Sequence, residues 1–71
     1  MMPFDYTLLR AKIHHNGFDQ KDLAFSLGIS TKTLKNKMNN KSEFKLHEMF
    51  KIIDILKISP HECEHYFFKT L

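Results

Sequence analysis

Apolar residues recur at helical spacing along almost the whole chain, and period-2 alternation is sustained nowhere, which predicts an all-α protein without a sheet. Behind a candidate N-cap at Asp5, the residues Tyr6, Leu9 and Ile13 stand at i, i+3, i+7, and Gly17 ends the run. A second helix is expected from Gln20 to Leu27, capped by Asp19 with Asp22 three residues on, and facing inward with Leu23, Ala24 and Leu27. Ser30 caps a short third helix that carries Leu34 and Met38 one turn apart and stops in the turn-prone "NNKS". The longest stripe, Leu46, Met49, Phe50, Ile53 and Leu56, marks a fourth helix as the main core element. A fifth opens on Ser59, Pro60 and Glu62 in a capping-box arrangement, with Cys63, Tyr66 and Phe67 as its inner face.

Helices two and three are separated only by Gly28, Ile29 and Ser30. So short a connection, with Gly28 free to adopt the left-handed conformation, makes the two helices cross steeply. Ala24 lets helix three approach helix two, Ile29 is expected in the turn, and Leu34 anchors the second helix. The expectation is one domain over residues 1–71 with a helix-turn-helix at about 20–39.

Size and composition narrow the functional classes. A chain of 71 residues builds one small core, too small for a deep catalytic pocket. Its 42% apolar and 27% charged residues are those of a chain that folds. The single cysteine, Cys63, excludes an intrachain disulfide and suits a reducing compartment. With neither a signal-type N-terminus nor an apolar run of bilayer length, a cytoplasmic protein without membrane contact is expected. The formal net charge of +3 is unevenly spread: between Gln20 and Lys45 six lysines face only Asp22 and Glu43, a balance of +4 against −1 elsewhere. Such a centre suits either a polyanion or an acidic protein surface, and equally describes a solvated lysine face.

The candidate binding residues lie in that centre. On helix three, Lys32, Lys35, Asn36 and Asn39 share one wholly polar face at i, i+3, i+4, i+7. Asparagine amides pair with adenine, lysines donate to guanine, and the methyl of Thr31 or Thr33 can touch thymine. Gln20, with the first amides of helix two, is placed to hold a phosphate, and Lys41 and Lys45 flank it. Against strong sequence reading stands the lack of arginine in this region, the chain's single one being Arg10 in helix one. No heptad zipper or spare apolar helix for a dimer is visible, so a monomer or weak dimer is expected. The alternative ligand is an acidic protein, with Phe25, Phe44 or Phe68 as an apolar anchor, although Phe25 is expected to tuck against helix one or four. His61 and His65 share a helix face but Cys63 points away, too few ligands for a structural metal site. His14 and His15 fall on different faces at a helix end. No phosphate loop, carboxylate pair or nucleophile–base set is present, so no enzyme activity, cofactor or small-molecule substrate is expected.

The stretch "QKDLAFSLGISTKTLKNKMNNKSEF" resembles the helix-turn-helix of the Cro and repressor superfamily of phage and bacterial regulators, through Gln20, Ala24, Gly28, Ile29 and Leu34. With the opening "PFDYTLLRAKI", the run "KNKMNNKSEF" and the closing "YFF", the chain is similar to the small modulator-of-repression, or Cro-like, proteins of temperate phages. The resemblance implies a five-helix Cro/repressor-like fold and a role in the lysis–lysogeny switch inside the host cell. It implies as partner the phage repressor protein, double-stranded operator DNA, or both, for a modulator of repression, an antirepressor or an operator-binding dimer. One position departs from the superfamily pattern. Where an apolar residue usually follows Leu34 by three, this chain has Lys37 next to Met38. Burying Leu34 and Met38 alone would turn the inner seam by roughly 50°, unless the Lys37 stem passes along the core.

Overall fold

The computed structural model describes residues 3–70. The helices are α1 (Thr7–His15), α2 (Gln20–Leu27), α3 (Thr31–Met38), α4 (Leu46–Leu56) and α5 (Cys63–Phe67), in the order expected. Among the described residues there is no named strand, only an isolated antiparallel bridge between Phe4 and Thr70.

Local chemistry sets the helix ends. The Asp5 carboxylate accepts the Thr7 amide at 2.9 Å and the Thr7 hydroxyl at 2.6 Å, yet helical geometry begins one residue later than expected, after Tyr6. Those bonds from Thr7, its hydroxyl first, hold the Asp5 carboxyl below the usual range. Asp19 and Asp22 form the expected reciprocal cap of α2, each carboxylate accepting the other's amide. Gly28 ends α2 at φ 72°, a conformation that a β-carbon disfavours. Ser30 caps α3 by accepting the Thr33 amide at 3.0 Å. The expected capping box on Ser59 does not form: its side chain caps nothing, and its carbonyl accepts from the Glu62 amide at 2.9 Å. That bond closes a 3₁₀ turn over Pro60–Glu62, so the fifth helix starts at Cys63. The Cys63 thiol also donates to the Ser59 carbonyl at 3.5 Å.

The core gathers Leu9 and Ile13 of α1, Leu23 and Ala24 of α2, Leu34 and Met38 of α3, and Ile52 and Leu56 of α4. Phe67 joins them, and Tyr6, Phe44 and Phe67 stack in successive edge-to-face contacts at 5.5 and 5.7 Å. Phe44 is therefore core and offers no anchor to a partner. The α4 stripe requires a larger correction. Of the expected inner set, only Leu56 is fully buried; Met49 and Ile53 are half-buried, and Leu46 and Phe50 face solvent. The inward side of α4 is instead Glu48, Ile52 and Leu56, because Glu48 brings a partner with it into the interior.

Candidate functional site: the α2–α3 surface

The orientation of α3 decides which side chains a ligand would meet. Leu34, Lys37 and Met38 are all buried, so the inner seam spans both flanks of Leu34 and is not turned toward Met38. Lys37 is only 5% exposed, and its ammonium donates to Glu48 Oε1 at 2.8 Å and to the Glu43 carbonyl at 3.1 Å. Glu48 Oε1 also accepts the Lys45 amide at 2.8 Å, which caps the first turn of α4. One buried ion pair thus joins α3, the 39–45 loop and the start of α4. Burial alone pushes the Glu48 carboxyl up; the Lys37 and Lys45 hydrogen bonds and the Lys37 charge outweigh it, so the group sits below its ordinary range.

With the seam centred on Leu34, the face formed by Lys32, Lys35, Asn36 and Asn39 points directly away from the core. Lys32, Lys35 and Asn39 are exposed, and Asn36 is half-buried. Thr31 and Thr33 are half-buried in the first turn, where the Thr33 hydroxyl lies 2.8 Å from Ser30 Oγ. Gln20 stands half-buried at the start of α2 and borders a shallow hollow with Arg10 and His14. Lys41 and Lys45 are exposed before α4, Lys41 donating its amide to the Asn36 carbonyl at 2.8 Å.

Two features depart from the sequence reading: the reach of Arg10 and the exposure of Phe25. Arg10 reaches across to the C-terminus of α3, donating to the Met38 carbonyl at 2.9 Å and to Asn39 Oδ1 at 3.2 Å. The Asn39 amide oxygen is thereby engaged, and its NH₂ is the part left to a ligand. Phe25 does not tuck against α1 or α4 but is 86% exposed. It lines an open hollow with Lys21, Ile29, Ser30 and Thr31, directly beside the first turn of α3. The signal available in the sequence was its place off the Leu23, Ala24, Leu27 face. Phe68, at 53% exposed, stands edge-on to Phe4 at 6.0 Å and lines a separate hollow with Asn40, Ser42 and Glu43.

The surface therefore offers lysine ammoniums, asparagine amides and one exposed phenyl ring around the start of α3. Among the described residues no helix is long and apolar enough to cross a membrane.

Comparison with known proteins agrees with this architecture. A comparison with curated proteins gives no match. Among solved structures, the solution structure of the modulator of repression of the temperate bacteriophage TP901-1 from Lactococcus lactis is similar. It shares 33% identity, superposes with a TM-score of 0.77, and the match covers 94% of this chain and 90% of that one. The model of a family described as a protein of unknown function, DUF739, matches residues 2–70. Matched over nearly its whole length, and folded like the TP901-1 modulator of repression, the chain belongs to the DUF739 family.

Proposed function

We propose that this chain is a non-enzymatic modulator of repression in a phage lysis–lysogeny switch, acting in the host cytoplasm by docking its helix-turn-helix surface on the phage repressor protein. Its similarity to the TP901-1 modulator of repression supports the regulatory role. The observation that carries the choice of a protein ligand is Phe25, 86% exposed beside a lysine and asparagine face without arginine. A phenyl ring gains nothing against phosphates, whereas an aromatic anchor within a charged rim is the usual construction of a protein interface. In this reading Phe25 and Lys21 seat the partner. Thr31, Lys32, Thr33, Lys35, Asn36 and Asn39 give it register, and Gln20, Lys41 and Lys45 contribute at the edge.

A second reading, operator DNA, is favoured by the outward polar face of α3 and its Ser30 cap, the placement of a helix that enters a major groove. The two readings separate in parallel titrations with the repressor and with operator DNA at two salt concentrations. Repressor docking predicts a co-purifying complex without DNA, weakened about 30-fold by Phe25→Ala, the effect of a hot spot of about 2 kcal/mol. DNA reading predicts a slope of log K against log salt of about −3 to −4 and loss of the gel shift in Lys35→Ala/Asn36→Ala. Binding to DNA alone, unaffected by Phe25→Ala, would overturn the protein-docking assignment.

A further inference from the structure

A hollow of about 170 Å³ opens between the residues before α1, the loop after α3 and the end of α5, with an aromatic wall from Phe4, Tyr6, Phe44, Phe67 and Phe68. The rings form one connected series. Phe68 stands edge-on to Phe4, Phe4 lies 6.2 Å from Tyr6, and the edge-to-face contacts of Tyr6, Phe44 and Phe67 continue it. Asn40 fixes the backbone of Phe4 at the rim through its two hydrogen bonds. The charged lining is a single group: Glu43 borders the hollow and is exposed, whereas none of the six lysines between Gln20 and Lys45 does so. Tyr6 is 4% exposed, and among the described residues its hydroxyl meets no hydrogen-bond partner. No buried polar side-chain atom is left unpaired there, so the hydroxyl is the part of Tyr6 that remains accessible from the hollow. Burial first, and the Glu43 charge second, raise the Tyr6 pKa above its ordinary value, which keeps the hydroxyl protonated.

We propose that this hollow receives one arginine side chain of a partner protein, its guanidinium against the aromatic rings, paired with the Glu43 carboxylate and donating to the Tyr6 hydroxyl oxygen. Size decides against a free small molecule: such sites begin at roughly 300 Å³, whereas about 170 Å³ suits a single side chain. Charge decides against an apolar or acidic one. Ring faces attract a cation through their quadrupoles, and the charged group on the wall is a carboxylate. An apolar side chain would take water from the Tyr6 hydroxyl and from Glu43 and return no hydrogen bond. Among cations, arginine fits better than lysine. Its planar head stacks on rings, its weaker hydration makes entry into an aromatic wall less costly, and its five N–H donors serve a carboxylate and a hydroxyl at once. A single arginine seated in a pocket is also a common anchor of protein interfaces. This hollow shares no lining residue with the one beside Phe25, so its role does not depend on the docking assigned to the α2–α3 surface.

The test is an NMR titration of the isotope-labelled full chain with N-acetyl-arginine N-methylamide, and in parallel with its lysine and citrulline analogues at matched ionic strength; citrulline keeps the shape of arginine without the charge. Neither repressor nor DNA is present, so failure here leaves the docking role of Phe25 standing. The arginine probe is expected to shift the amides of Tyr6, Glu43, Phe44 and Phe68 saturably, with a Kd on the order of 1 mM. Citrulline is expected to bind about tenfold more weakly, and lysine to fall between the two. Glu43→Gln should weaken arginine binding about tenfold, and Tyr6→Phe about fivefold. Neither variant should move the thermal melt, because the Glu43 carbonyl that accepts from Lys37 is retained and the Tyr6 hydroxyl has no partner to lose. Free arginine, with its backbone charges restored, should bind no more tightly than the blocked form; tighter binding would make the free amino acid the ligand and overturn the assignment to a protein side chain. Equal shifts from citrulline, lysine binding as tightly as arginine, an affinity that Glu43→Gln leaves unchanged, or no shift at these amides up to about 50 mM would each overturn the proposal.

Discussion

At the scale of single residues, the buried Lys37–Glu48 pair governs this molecule most directly. Two charges in the interior are costly to desolvate, and here each has a further hydrogen bond, Lys37 donating to the Glu43 carbonyl and Glu48 accepting from the Lys45 amide, that helps to offset that cost. Removing one partner strands the other: Lys37→Ala is expected to lose about 3–5 kcal/mol of stability in urea denaturation, and Lys37→Met/Glu48→Leu to regain most of it. The pair also sets an acid limit. Because the folded Glu48 carboxyl lies below its ordinary range, its contribution is complete above the unfolded value of about 4.3 and is lost as pH falls through the folded value. Melts of the wild type should decline below about pH 4.3, and Glu48→Gln should show a shallower decline over the same interval. In the sequence, Lys37 was visible as an anomaly, but its partner was not. Eleven residues and a loop separate it from Glu48, and a glutamate at that point of an amphipathic pattern reads as solvated.

At the scale of elements, the helices whose ends are fixed by local chemistry were the legible ones. Asp19, Asp22, Gly28 and Ser30 act within three or four residues of themselves, so the bounds of α2 and α3 follow from the letters alone. For the same reason Ser30→Ala should cost about 1 kcal/mol, and Gly28→Ala a similar amount from the strain at φ 72° even though the space there is open. Thermal unfolding checks both. The α4 stripe misled because that helix is apolar on two sides, and periodicity ranks faces without knowing which one the other helices cover. Leu46 and Phe50 were assigned inward on spacing, while the true inner face contained a glutamate. Phe25 was misjudged for a related reason: the tendency of aromatics toward cores is statistical, and here the ring stands on the side of α2 that no helix covers.

At the scale of the whole molecule, two surfaces differ in their chemistry. The α2–α3 surface is polar, basic and bears one aromatic ring; the outer face of α4 is apolar with mixed charges at its rim. A useful comparison is the salt response of each. Binding through the lysine face should weaken as salt rises if the ligand is DNA, and only modestly if an aromatic anchor dominates. Fluorescence anisotropy of labelled protein against repressor at about 50 and about 200 mM salt is expected to show less than a tenfold change. The bridge between Phe4 and Thr70 has a consequence of a different kind. Around it, the Asp5 amide donates to the Lys69 carbonyl at 2.7 Å, and the Asn40 side chain clasps both backbone groups of Phe4 at 2.8 and 2.9 Å. These contacts join residues far apart in sequence, so closing them carries the largest loop-entropy cost and they should form late, after the locally capped α2 and α3. Stopped-flow refolding of Asn40→Ala should therefore show a faster unfolding limb and a nearly unchanged folding limb, making this clasp a determinant of how long the native state lasts rather than of how quickly it is reached.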